Sequence, residues 1–163
     1  MIVILMGVSG SGKSKIAIDL AEVLGWEFDD ADEFHSWEAK EKMSQGIALN
    51  DHDRQPWLEK MQSAIDHWLM AGENHCLACS ALKSRYRRTL RCDDSRVKLV
   101  YLQGSFDLIY NRLQNRQGHF MDENMLQSQF DALEEPLTEE AIYIDISQTP
   151  QEIVEEIKKY LEV

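Results

Sequence analysis

The chain has 163 residues, with 17 Lys and Arg against 29 Asp and Glu, which gives a net charge of −12. Such a charge speaks against nonspecific binding to nucleic acid or an anionic membrane, since both would repel it. The 44 % hydrophobic content and four tryptophans speak against disorder. No apolar run approaches the roughly 20 residues of a membrane span, and Met1 leads straight into Ile2-Val3-Ile4-Leu5-Met6 without the charged region of a signal peptide. A single cytoplasmic domain over residues 1–163, binding neither nucleic acid nor membrane, is expected.

In chain order, short apolar strands alternate with amphipathic helices, the pattern of an α/β protein with a parallel sheet. Residues 2–6 form a continuous apolar run, as for a strand covered on both faces. Ile16, Leu20, Ala21 and Leu24 then mark a buried helix that Gly25 caps. A brief second strand over 26–28 ends in Asp29 and Asp30, and 36–46 read as a short polar helix. Pro56 is taken as a first helical residue, followed by Trp57, Leu58, Met61, Ile65, Trp68 and Leu69 at helical spacing until Gly72. Strands at 75–79 and 97–102 flank a basic helix near 84–91. A helix at 106–116 leads into a polar loop over 115–124, and a further helix stops near Pro136. The last strand lies at 141–146, and Thr149-Pro150-Gln151-Glu152 opens a C-terminal helix as a capping box. Cys76 and Cys79 form a CxxC, but three residues apart in a strand they point to opposite faces, so buried thiols are expected rather than a metal or redox pair.

The most specific signal is Gly7-Val8-Ser9-Gly10-Ser11-Gly12-Lys13-Ser14, a G-x-x-x-x-G-K-[ST] motif between an apolar strand and a helix. Glycines let successive N–H groups converge on phosphate oxygens, and the helix N-terminus adds partial positive charge. Lys13 would neutralise the β- and γ-phosphates of a nucleoside triphosphate and the Ser14 hydroxyl would ligate Mg²⁺. Asp30 and Asp32 fall at the carboxyl edge of the sheet; in an extended segment both would face one spot, one near the metal and one beside an acceptor hydroxyl. Seven of the seventeen basic residues lie between Lys83 and Lys98, a local reversal of charge suited to a carboxylate or phosphate, with one or two of the seven expected to touch ligand. Arg85 and Arg96 read as solvated. Arg112 and Arg116 end the helix before the polar loop, where an arginine could reach a transferring phosphate.

Taken together, these residues resemble the P-loop gluconate kinases. The likeness runs through Gly7–Ser14, Asp30-x-Asp32 with His35, Lys42-Met43 and Gly46, and Asn50-Asp51-x-Asp53-Arg54-x-Pro56-Trp57. It continues through Cys79-Ser80-Ala81-Leu82-Lys83 with Tyr86-Arg87, Gly118-His119-Phe120, and Gln129-Phe130 with Pro136. The resemblance implies a nucleoside-monophosphate/shikimate-kinase-like fold, with five parallel strands in the order 2-3-1-4-5 and a lid near 115–125. It implies transfer of the ATP γ-phosphate to the 6-hydroxyl of D-gluconate with Mg²⁺, and a homodimer. By position, the phosphate loop Gly7, Val8, Ser9, Gly10, Ser11, Gly12, Lys13 and Ser14 holds the nucleotide together with Arg112 and Arg116. Ser14 and, through water, Asp30 attend the metal. The resemblance also implies that Lys13, Asp32 and Arg116 are catalytic, and it makes Asp32, His35, Arg54, Lys83, Arg87 and His119 candidates for the sugar-acid pocket. Three positions depart from the family pattern: Ser36 replaces a usual proline, Ala39 an asparagine and Ala31 a glycine.

Two other readings share the phosphate loop. A kinase of another sugar acid or of a shikimate-like metabolite would have the same fold, but Ser80-Ala81-Leu82-Lys83 stands where shikimate kinases carry three glycines. A non-catalytic ATP sensor has little use for the intact set Lys13, Ser14, Asp32 and Arg116.

Overall fold

The computed structural model describes residues 1–115 and 122–163. The elements are β1 (Ile2–Met6), α1 (Lys13–Leu24), β2 (Glu27–Asp30), a 3₁₀ turn (Ala31–Phe34), α2 (Trp37–Ser44), α3 (Asp51–Ala71), β3 (His75–Ala78) and α4 (Ser84–Thr89). They continue with β4 (Val97–Gln103), α5 (Phe106–Asn115), α6 (Glu123–Ala132), β5 (Ile142–Asp145) and α7 (Pro150–Leu161). All strand pairs are parallel and the order is β2-β3-β1-β4-β5, as expected from the resemblance.

Helices cover both faces, which is why β1 is apolar at every position. Val3 and Leu5 enter one core with Ile16, Leu20, Ile109, Leu113, Leu126 and Ile153 from α1, α5, α6 and α7. Ile2, Ile4 and Met6 enter the other with Trp57, Met61, Ile65 and Tyr86 from α3 and α4. The two-residue alternation of a strand also separates Cys76 from Cys79: the first lies in one core and the second in the other. Both thiols are free, and burial pushes each up to about 12.

Helix ends follow the local chemistry. Gly25 closes α1 in the left-handed region at φ 71, its N–H donating to the Ala21 and Glu22 carbonyls. Thr149 caps α7: its Oγ1 accepts from the Glu152 N–H at 3.2 Å and donates to the Glu152 carboxylate at 2.9 Å. The start of α3 corrects the sequence reading. Asn50 and Asp53 form a reciprocal capping box, so the helix begins at Asp51 and Pro56 sits inside it. Two satisfied orphan donors outweigh the one hydrogen bond that proline forfeits at the exposed start of a 21-residue helix.

The carboxyl ends of β1, β2 and β3 lie side by side. Because β1 has β3 on one flank and β4 on the other, the turn that follows Met6 falls where the strand order reverses, the place where open α/β sheets bind ligands.

Candidate active site

The loop after β1 is shaped by its glycines. Gly10 has φ +81, and a Cβ there would stand 2.8 Å from Leu113 Cγ, so both the backbone conformation and the packing against α5 require glycine. Gly12, at φ 95, is the N-cap of α1 and supplies no side chain to the first-turn N–H groups. An uncapped helix start with converging N–H groups is a ready acceptor for an anion. Lys13 opens the helix, and its ammonium donates to the Val8 carbonyl at 3.1 Å. Burial lowers the Lys13 pKa, with the Asp32 and Asp30 carboxylates opposing that shift. The Ser11 hydroxyl is buried and has no hydrogen-bond partner.

Two carboxylates face this loop, by a route other than the expected one. Only Asp30 belongs to β2; Asp32 lies in the 3₁₀ turn, so strand alternation does not aim them. The aiming comes from Asp30 itself, whose Oδ2 accepts from Ser14 Oγ at 3.0 Å while Oδ1 accepts from the Asp32 N–H at 2.9 Å. Trp57 of α3 holds the same turn by donating its indole N–H to the Ala31 carbonyl at 2.7 Å. Partial burial and the Asp30 charge raise the Asp32 pKa, with Lys13 and Lys40 pulling it down. Ser9, Gly10, Gly12, Lys13, Ser14, Asp30, Asp32, Trp57, Ser80 and Arg112 all line one cleft of about 630 Å³. Arg112 is held at its rim by donating to the Ile146 carbonyl at 2.6 Å.

A second group continues from Trp57. His35 stacks on its ring at 4.5 Å between centroids. Burial, with the Arg54 and Lys40 charges, pushes the His35 imidazole down to about 4, so it is neutral near pH 7, and its buried Nδ1 has no partner. Arg54 donates to the Tyr86 hydroxyl at 3.2 Å, and Lys83 to Asp51 Oδ1 at 3.2 Å. Tyr86 also donates to Asp51, and Arg85 pairs with the same carboxylate. Arg54, Lys83 and Arg85 thus surround one buried tyrosine ring, each within 6 Å of its centre.

Arg87 requires a correction. The resemblance places it in a substrate pocket, but it is 4 % exposed and turned inward. Its Nη1 donates to the Ala81 carbonyl and its Nη2 to the Glu134 carbonyl, both at 2.8 Å. Together with the Glu134 N–H bond to the Leu82 carbonyl at 2.8 Å, it ties the loop after β3 to the segment before β5. The rest of the basic cluster is largely neutralised: Arg91 makes a bidentate pair with Asp66, and Arg96 pairs with Asp94. Arg85, read as solvated, is exposed, and there it pairs with Asp51. Arg116 and His119 lie outside the described residues, as does most of the expected lid.

Four residues at the site carry no role in the sequence reading. Asp51, Trp57 and Tyr86 were visible as parts of ordered motifs, but their contacts join elements 26 to 35 positions apart. Gln129 reaches the phosphate loop across 120 positions. The departures are accommodated locally. Ser36 caps α2 by accepting from the Ala39 N–H at 3.1 Å, and Ala39 and Ala31 are both buried.

Comparison with known proteins agrees with this geometry. The family described as shikimate kinase matches residues 9–162. The chain is 46 % identical to a probable gluconokinase of Dictyostelium discoideum, covering 99 % of this chain and 86 % of that protein. It is 43 % identical to a gluconokinase of Arabidopsis thaliana, covering 96 % and 89 %. The crystal structure of a gluconokinase from Sinorhizobium meliloti 1021 superposes with a TM-score of 0.83 at 41 % identity, over 94 % of this chain and 87 % of that one. A strand–phosphate loop–helix unit at the switch point of a 2-3-1-4-5 sheet, in a chain this similar to these kinases over nearly its whole length, belongs to the gluconokinase group of the shikimate kinase family.

Proposed function

We propose that the protein phosphorylates D-gluconate at its 6-hydroxyl with ATP, giving 6-phospho-D-gluconate and ADP. The observation that carries this reading is the single cleft in which an uncapped, lysine-bearing phosphate loop meets Asp30 and Asp32. That arrangement would put a polyphosphate site beside a carboxylate able to accept a proton.

Gly7–Ser14 would wrap the nucleotide phosphates, with Lys13 charged against them. Lys13 now spends its ammonium on a backbone carbonyl, a bond that an incoming phosphate would readily replace. Among the described residues no group of three or more His, Cys, Asp or Glu side chains gathers to hold a metal. The Ser14 hydroxyl and Asp30 carboxylate, 3.0 Å apart, instead offer the sparse oxygen set that suits Mg²⁺ bound mainly through phosphates and water. When bound, Mg²⁺ would neutralise charge on the β- and γ-phosphates. Asp32 would orient the 6-hydroxyl and take its proton as the oxygen bonds to the γ-phosphorus and ADP departs. A carboxyl pushed above its ordinary value is better matched to that proton.

The acceptor would extend from Asp32 past Trp57 and His35 toward Arg54 and Lys83. The neutral His35 ring would hydrogen-bond sugar hydroxyls, and the cations would draw the carboxylate. Arg112, and by sequence position Arg116 and His119, would complete the nucleotide and acceptor sites. We extend the proposal to a homodimer and to a cytoplasmic setting; no helix among the described residues is long and apolar enough to cross a membrane. ADP release measured with Mg-ATP and D-gluconate, other aldonates, shikimate or no acceptor tests the reading. Turnover that depends on D-gluconate supports it, and equal turnover with shikimate or with no acceptor contradicts it.

A further inference from the structure

The tip of the phosphate loop is gripped from two sides by helices distant in sequence. On one side Leu113 of α5 packs against Gly10 so closely that a Cβ there would stand 2.8 Å from its Cγ. On the other, the Gln129 amide of α6 makes two hydrogen bonds to one residue: its Oε1 accepts from the Ser9 N–H at 2.7 Å, and its Nε2 donates to Ser9 Oγ at 2.8 Å. The two helices are joined by Phe106 and Phe130, whose rings lie 5.6 Å apart. Leu126, fully buried, anchors α6 in the core one turn before Gln129.

A phosphate loop is a run of glycine-rich backbone, and glycine gives up more conformational freedom on ordering than any other residue. Ser9 is the last residue before Gly10, so fixing its peptide fixes where the following N–H groups point. A single amide that satisfies both the N–H and the hydroxyl of Ser9 sets position and rotation together, which one hydrogen bond would not. The neighbouring Gln127 makes only a local contact to Asp131 on the same helix, at 2.9 Å.

We infer that Gln129 is a positioning residue for nucleotide binding: it preorganises the phosphate loop through Ser9 without touching the nucleotide. The inference rests on the proposed role of Gly7–Ser14 as the nucleotide phosphate site. Its consequence is specific. Loss of the clasp weakens every nucleotide bound through the β-phosphate and leaves acceptor binding alone, because the Asp30–Asp32 turn is held separately, by Trp57 and by Asp30 itself.

Calorimetric titration of ADP tests it, with wild type, Gln129→Met, Gln127→Met, Ser9→Ala and the Gln129→Met/Ser9→Ala pair, alongside melting temperatures and KM for D-gluconate. Gln129→Met should weaken ADP about tenfold, the loss expected when two hydrogen bonds that order a loop are removed. Gln127→Met should bind as wild type does, and KM for the acceptor should not move. Ser9→Ala alone should weaken ADP about threefold, and the pair should be no weaker than Gln129→Met within about twofold, since both act through one contact. If Gln129→Met does not fold, Gln129→Asn keeps the amide but falls one methylene short, and it should weaken ADP in the same direction. Wild-type ADP affinity in a folded Gln129→Met or Gln129→Asn, or full additivity in the pair, overturns the inference. Failure of the wild-type protein to bind ADP at all overturns the nucleotide reading with it.

Discussion

Replacing Arg87 by methionine separates a buried brace from a substrate contact. Arg87 is 4 % exposed, and its guanidinium spends two N–H groups on the Ala81 and Glu134 carbonyls at 2.8 Å each. Hydrogen bonds from a charged donor contribute about 1.5–3 kcal/mol each, and relief from burying the charge returns part of that, so the net loss should be about 3 kcal/mol. Ala81 adds to the sensitivity: it holds the left-handed region at φ 47 without being glycine, and the Arg87 bond is one of the contacts that keeps it there. For a domain of this size each kcal/mol moves the melting temperature by about 2–4 °C, so Arg87→Met should melt about 9 °C lower. Urea unfolding gives the free energy, and steady-state kinetics well below the transition give KM for D-gluconate, which should stay within about twofold of wild type. Wild-type stability with a KM raised tenfold or more would refute the reasoning and return Arg87 to the acceptor pocket.

Other perturbations read the site directly. Asp32→Asn should lower kcat at least about 100-fold while nucleotide affinity persists, as loss of a general base does; single-turnover kinetics with an ADP titration check it, and near wild-type turnover would remove Asp32 from the mechanism. Lys13→Ala should weaken nucleotide binding by about tenfold or more, the worth of a charge-assisted bond to phosphate, and unchanged affinity would contradict the phosphate-loop assignment. His35 gives a pH signature. Its folded pKa is pushed down to about 4 from the ordinary 6.5, so between those values the unfolded chain binds a proton that the folded chain refuses. Its contribution to stability is therefore complete above pH 6.5 and lost as pH falls toward 4. His35→Gln should flatten that fall in urea midpoints measured at pH 7, 5.5 and 4, and an unaltered slope would show that His35 titrates normally.

What could be read in the sequence was what is local. β1, the phosphate loop and α1 declare themselves because apolar run, glycine spacing and helix follow one another within 23 residues of chain, from Ile2 to Leu24. The CxxC is legible as two buried thiols for the same reason, since strand alternation is a nearest-neighbour rule. Pro56 misleads because proline favours a first turn, yet the Asn50–Asp53 box starts the helix earlier. Asp30 and Asp32 do converge on one cleft, but a carboxylate–backbone bond aims them and not the pleat of a strand. Arg87 looks like any other cation of its cluster, because nothing in the local pattern says that the Glu134 carbonyl, 47 positions away, will meet it in the core. The contact of Gln129 is hidden by a longer separation still: its hydrogen bonds to Ser9 span 120 positions and leave no periodicity to find.

The most direct test of the central claim is a coupled ADP-release assay with Mg-ATP and D-gluconate in which the phosphorylated product is identified. The structure predicts turnover that requires D-gluconate, yields 6-phospho-D-gluconate and collapses in Asp32→Asn. Measurable ATP binding with no turnover on D-gluconate, or turnover that survives Asp32→Asn intact, would contradict it.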